Sequence, residues 1–307
     1  MSEIIKVQKL RKTYKSITAV DDISFDVHEG EIFGMVGPNG AGKTTTIECI
    51  EGLRKPDAGS ISVLGLDPQA DNKILRTRVG MQLQQSNLPE RMKVWEALDL
   101  YSAFYANPVD WKSLMLQLGL EEKRDARFGK LSGGQKQRLF IALALLPNPN
   151  LVFLDELTTG LDPQARHTIW DLVRSVRDQG KTIYLTTHFM EEAERLCDRV
   201  AILDSGKIVA LDTPQALIRN LSQNERVSFT LDMNVTSDIH NAFASLGKLE
   251  VQGDKLTIIG KSTDSAQLVT AVVNLLSGLG LRYRDLRTEQ PTLEDVFLDL
   301  TGRQIRE

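Results

Sequence analysis

Short apolar runs and helical stripes alternate along this chain, and their periods set the first expectations. Residues 4–10 and 23–27 read as strands, and the Glu29-Gly30 turn closes this opening segment. Residues 32–36 are continuously apolar, the mark of a strand covered on both faces. Ile47, Ile50 and Leu53 then recur at helical spacing, so the spacing predicts a helix there. Residues 151–154 form a second buried strand. Asp162-Pro163 opens a helix, with Asp as cap and Pro at the first position; its buried stripe is Ile169, Leu172, Val173 and Val176, and Gly180 ends it. Residues 182–187 read as a strand and 190–197 as a helix, and residues 200–203 and 207–211 form a hairpin around Asp204-Ser205-Gly206.

Alternating strands and helices imply a largely parallel sheet with helices on its faces. Residues 88–127 break this rhythm. They are helix-rich and carry Trp95, Tyr101, Phe104, Tyr105 and Trp111, read here as the core of a helical insertion. A polar stretch at residues 220–225 marks a boundary. Beyond it the order is strand 227–231, helix 237–246, strands 248–251 and 255–259, a helix capped near Thr263 or Asp264, and strand 281–286. That βαββαβ order points to a small ferredoxin-like α+β module, closed by a helix from Thr292 with Asp295 as capping partner.

The loop between the first buried strand and its helix carries the clearest chemistry. Gly37-Pro38-Asn39-Gly40-Ala41-Gly42-Lys43-Thr44-Thr45 fits G-x-x-x-x-G-K-[ST]. Glycines let successive N–H groups turn toward phosphate oxygens, and the positive end of the following helix reinforces them. Lys43 supplies a cation for the outer phosphates and Thr44 a hydroxyl for Mg²⁺. This predicts binding of a nucleoside triphosphate. At the end of the 151–154 strand stand Asp155, suited to hold Mg²⁺, and Glu156, suited to polarise an attacking water. Leu131-Ser132-Gly133-Gly134-Gln135 opens an apolar helix; Ser132 caps it and the glycines expose N–H groups as a second anion site.

At 307 residues the chain has room for about two domains. A formal charge of −4 gives no general attraction for nucleic acid or anionic lipid, so no nucleic-acid partner is expected. Two cysteines, Cys49 and Cys197, both fall in predicted helices and make no disulfide framework. The longest apolar run, 139–146, is stopped by Pro147 and Pro149, far short of the roughly 18 residues that cross a bilayer. With no basic and apolar leader at its start, the chain is expected to be cytoplasmic, any membrane role coming through a partner.

Residues 37–45, Gln84, 131–135, 151–156, Gly160-Leu161-Asp162 and His188, in that order, resemble the ATPase subunits of ABC (ATP-binding-cassette) transporters over residues 4–215. The resemblance implies an α/β P-loop NTPase of the ABC ATPase type, with an antiparallel β part and a helical subdomain at about 86–150. The ATPase domain is then 1–220 and the small domain 221–307. It further implies a head-to-tail homodimer, in which ATP on Lys43 and Thr44 of one subunit is covered by Ser132, Gly134 and Gln135 of the other. By the same resemblance Gln84 contacts Mg²⁺ and the attacking water, His188 contacts the γ-phosphate and steadies Glu156, Tyr14 stacks on adenine, and Asp162 links the two sites. Leu157 stands where the family usually has proline.

The tail, residues 291–298, resembles that of drug-resistance-type exporter ATPases, which work with a separate integral-membrane permease. The permease would dock on the helical subdomain near Gln84, with Arg91 and Trp95 as candidates. A soluble ABC ATPase acting on ribosomes or nucleic acid is the alternative. Against it stand a single set of motifs, a spacing of 89 positions between Lys43 and Ser132, and the absence of net basic charge. Intact Glu156 and His188 argue against a binder that does not hydrolyse.

Overall fold

The protein is described by a computed structural model covering residues 2–83, 86–221, 225–233, 235–260, 265–289 and 291–302. β1 (Glu3–Tyr14) and β2 (Ile17–His28) form an antiparallel pair longer than the apolar runs foretold. Pairing continues through polar residues, down to Tyr14 opposite Ile17, because one face of this sheet meets solvent and needs no apolar side chains there. β3 (Ile32–Val36) is buried at every position and leads into α1 (Lys43–Ile50). The expectation that Leu53 continues this helix fails. Glu51 is the C-cap, Gly52 turns left-handed at φ +73°, and Leu53 is exposed.

β4 (Ala58–Val63) pairs with β1, completing a three-stranded antiparallel sheet in the order β2-β1-β4. After α2 (Asn72–Leu75) and β5 (Val79–Gln82) come α3 (Val94–Ser102), α4 (Trp111–Gln117) and α5 (Gly133–Leu145). The chain then returns as β6 (Leu151–Asp155), α6 (Pro163–Asp178), β7 (Thr182–Thr187), α7 (Met190–Leu196), β8 (Arg199–Asp204) and β9 (Lys207–Asp212). These strands form one sheet in the order β5-β6-β7-β3-β8-β9, parallel except for the β8–β9 hairpin. α1 packs against strands of both sheets, and the stacked rings of Phe25, Phe33 and Tyr184 fill the space between them.

The aromatic residues read as the core of the helical insertion are not its core. Phe104 is 70% exposed, and Trp95, Tyr101, Tyr105 and Trp111 are half-buried. Val94, Ala97, Leu98, Leu114 and Met115 fill the interior instead. Cys49 lies in α1, whereas Cys197 stands just beyond α7 as its C-cap; both are buried and unpaired.

The chain divides into two compact units between Pro214 and Gln215, within α8 (Pro214–Leu221). The second unit runs β10 (Glu225–Leu231), α9 (Ser237–Ala244), β11 (Lys248–Gln252), β12 (Lys255–Gly260), α10 (Ser265–Gly278), β13 (Tyr283–Glu289) and α11 (Leu293–Thr301). Its antiparallel sheet has the order β11-β12-β10-β13, and Val227, Phe229, Phe243, Leu256, Ile258 and Val272 belong to its own core. Thr292 and Asp295 cap α11 reciprocally, and Asp295 also binds Arg226 at 2.6 Å. The proposed caps Thr263 and Asp264 lie outside the described residues. Among the described residues, no helix is long and apolar enough to cross a membrane.

Candidate functional site

The sheet order brings the chemistry together. β7 lies between β6 and β3, so the loop after β3, the acids ending β6 and the histidine after β7 all meet at the carboxyl edge of three adjacent parallel strands.

The glycines of the loop have separate reasons. A side chain on Gly37 would collide with the Leu203 carbonyl and one on Gly42 with that of Ala19, while Gly40 and Gly42 take φ of +81° and +107°. Asn39 and Gly40 are exposed, Pro38 is half-buried and Ala41 is buried. Gly42 is the N-cap of α1 without a capping side chain, so the first-turn N–H groups of Lys43, Thr44 and Thr45 have no side-chain acceptor at the cap. Lys43 is buried and its Nζ donates to the carbonyls of Gly37, at 2.8 Å, and Pro38, at 3.0 Å. Burial lowers its pKa, opposed by the carboxylates of Glu156 and Asp155.

Asp155 is buried and accepts from the Thr186 hydroxyl on the neighbouring strand. Burial raises its pKa, the Thr186 bond works against that, and Glu156 adds to the rise. Glu156 has a left-handed backbone, φ +48°, costly for any residue but glycine. Its N–H donates to the Thr186 carbonyl at 3.1 Å, and Oε1 lies 3.9 Å from Lys43 Nζ and 3.7 Å from His188 Nδ1. His188 Nδ1 is buried without a hydrogen-bond partner among the described residues, Glu156 Oε1 lying beyond hydrogen-bond reach.

The structure brings Lys43, Asp155, Glu156 and His188 into one cluster, Lys43 and Asp155 buried and Glu156 and His188 half-buried. Hard oxygen donors suit a small hard cation: the Asp155 carboxylate ends β6, and the Thr44 hydroxyl is in the first turn of α1, which packs on β6. No group of three or more His, Cys, Asp or Glu side chains that could hold a metal ion occurs among the described residues. Gln84, the third proposed metal contact, lies outside the described residues.

Ser132, Gly134 and Gln135 are at the start of α5. Ser132 Oγ accepts from Gln135 N–H at 3.3 Å, and Gln135 Oε1 accepts from Ser132 N–H at 3.0 Å, so each caps the other. Ser132 is exposed. Asp162 caps α6 by accepting from Ala165 N–H at 2.8 Å. Tyr14 ends β1, exposed, with the Arg54 guanidinium 5.2 Å and the Lys12 ammonium 5.7 Å from its ring centre. Leu157, in the place of the usual proline, is buried.

Several contributors carry no sequence motif. Thr186 is a hydroxyl inside a fully buried strand, a position that demands a partner and so hints at one. Glu51 and Glu192 are buried acids that read in the sequence as ordinary helix-surface charges.

Residues 20–159 match the family described as "ABC transporter". The Nod factor export ATP-binding protein I of Rhizobium etli is 40% identical over 307 residues, covering 98% of this chain and 94% of that protein. A solved ATP-binding subunit of an ABC transporter is 30% identical with a TM-score of 0.63, covering 71% of this chain and 93% of the other. A dimeric ATP-binding cassette in a post-hydrolysis state bound to ADP and Pi is 27% identical with a TM-score of 0.61, covering 68% and 98%.

Proposed function

As a member of the ABC transporter family, the chain is an ATP-binding subunit that hydrolyses ATP in the service of an exporter, and we propose that it does so as a head-to-tail homodimer coupled to a separate membrane permease. The observation that carries this reading is the placement of Glu156 Oε1 within 4 Å of both Lys43 and His188 at one strand edge.

In this reading the loop amides and Lys43 hold the ATP phosphates, exchanging the Gly37 and Pro38 carbonyls for phosphate oxygens on the lysine. Tyr14 stacks on the adenine. Thr44 and Asp155, with Gln84, hold Mg²⁺, which when bound offsets the charge developing on the phosphates. Glu156 accepts a proton from the attacking water, and His188 orients Glu156 and contacts the γ-phosphate. Ser132, Gly134 and Gln135 of the second subunit cover the same ATP, so closure depends on the γ-phosphate and its loss on hydrolysis reopens the pair.

The permease contact is placed on the helical region at about 86–150, where Arg91 and Phe104 are exposed and Trp95 half-buried. Such a partner holds the chain at the cytoplasmic face of a membrane. Outward transport is taken from the relatives, which are named for Nod factor export and not for drug resistance. In this reading an appended domain, residues 221–307, follows the ATPase domain of 1–220 along the chain, and the cargo is set by the permease.

The test is a pull-down of tagged Glu156→Gln protein from solubilised membranes with ATP and Mg²⁺. Recovery of a polytopic membrane protein is expected. Recovery of ribosomes or nucleic acid alone would move the chain to the soluble class.

A further inference from the structure

Glu192 is only 1% exposed, yet it sits in α7 among charged residues that face water. A buried carboxylate is costly unless its partners satisfy it, and replacement by a well-packed apolar group is often neutral or stabilising. Its partners are therefore informative. Oε1 accepts from the Thr158 hydroxyl at 2.9 Å and from the Trp170 indole N–H at 2.8 Å. The Thr187 hydroxyl faces the same carboxylate; Oε2 meets no hydrogen-bond partner among the described residues, so Thr187 is a polar neighbour and not a bond.

Thr158 lies two residues after Glu156, and Thr187 immediately precedes His188. Trp170 belongs to α6, and from the same helix the Arg166 guanidinium stacks 4.1 Å from the ring of Phe189, itself packed on His188. One carboxylate thus gathers the segment leaving the general base, the strand end carrying the histidine and the helix behind them.

We infer that Glu192 is a positioning residue for hydrolysis: bound to Thr158 and Trp170 and facing Thr187, it holds the segment after Glu156 against the strand end that carries His188 and so sets the Glu156–His188 spacing. This rests on the assignment of Glu156 and His188 as the hydrolytic pair. Burial pushes the Glu192 carboxyl up, against the Thr187, Trp170 and Thr158 groups that hold it down, so a neutral acceptor of the same shape is an apt replacement.

The test is steady-state ATPase activity of the full chain. Glu192→Ala is expected to lower kcat about tenfold with KM for ATP unchanged within about twofold, since a small misplacement of catalytic groups costs rate more than binding. Glu192→Gln, which keeps the acceptor, is expected to recover to within about threefold of wild type. Thr158→Val, which deletes one donor and keeps the packing, is expected to repeat the kcat loss if Glu192→Ala fails to fold. In a His188→Ala background, Glu192→Ala is expected to cost less than about twofold, because the spacing it sets no longer matters. Wild-type kcat in both Glu192→Ala and Thr158→Val, beside an inactive Glu156→Gln, would overturn the inference alone. So would losses that multiply fully with His188→Ala, the mark of a general structural role. Wild-type turnover by Glu156→Gln would overturn the hydrolytic assignment and this inference with it.

Discussion

Lys43 Nζ stands 3.9 Å from Glu156 Oε1, both side chains almost wholly buried. The cation proposed to grip phosphate and the carboxylate proposed to activate water are thus neighbours. Glu156→Gln leaves Lys43 the nearby charge of Asp155 and keeps side-chain volume, so ATP affinity is expected within about threefold of wild type while turnover falls at least about 100-fold. Steady-state hydrolysis, with size-exclusion chromatography to detect an ATP-held dimer, checks both halves of this expectation. Hydrolysis at the wild-type rate would remove Glu156 from its role.

Ser132 is exposed and caps α5, and a methyl on Gly134 would lie 3.3 Å from Ala165 Cβ, so this corner has little room to adapt. Ser132→Arg is expected to abolish ATP-driven dimerisation without weakening nucleotide binding by the monomer. Loss of the cap costs about 1 kcal/mol, a drop of a few degrees in Tm. A Ser132→Arg protein that still dimerises with ATP would refute the cross-subunit assignment.

Glu51, buried at the end of α1 with Oε1 lacking a partner among the described residues, has its pKa raised to about 8 by burial, helped by Asp155 and Glu48. The unfolded chain releases this proton near pH 4.5 and the folded chain near 8, so the folded state binds more protons across that window. Stability from this group is full below pH 4.5 and lost as pH rises through 8, at about 1.4 kcal/mol per pH unit. Glu51→Gln, neutral throughout, is expected to raise Tm at pH 7.5 by several degrees, with the gain shrinking toward pH 5. Thermal melts across that range check it, and an equal shift at every pH would refute it.

Phe104 is 70% and Leu116 63% exposed, in the helical region. Phe104→Asp and Leu116→Asp are expected to leave ATP hydrolysis by the isolated chain within about twofold, since exposed positions carry little stability. Where either residue touches the permease, co-purification from solubilised membranes is expected to fall severalfold. Undiminished recovery with both variants would place the contact elsewhere.

The parts of this protein that announce themselves in sequence are those whose chemistry needs contiguous residues. The loop from Gly37 to Thr45, the Asp155-Glu156 pair and the Ser132–Gln135 cap each fit within one short stretch of chain, so spacing alone exposes them. What joins them was not legible. Nothing local says that β7 runs between β3 and β6, although that order puts His188 beside Glu156. The aromatic residues 95–111 misled because a large apolar side chain favours burial without saying how deeply the fold covers it. Leu53 misled because periodicity does not register a helix ending at Gly52. Glu51 and Glu192 were invisible because a buried acid and a solvated one are spelled alike.

The left-handed backbone at Glu156 has a last consequence. Glycine would suit that φ better, so the fold and the hydrolytic role proposed for Glu156 ask for different residues at one position. A screen that selects only for a more heat-resistant protein should drift toward substitutions here that relax the chain and silence the engine. The price of that strain is a record of which demand prevailed.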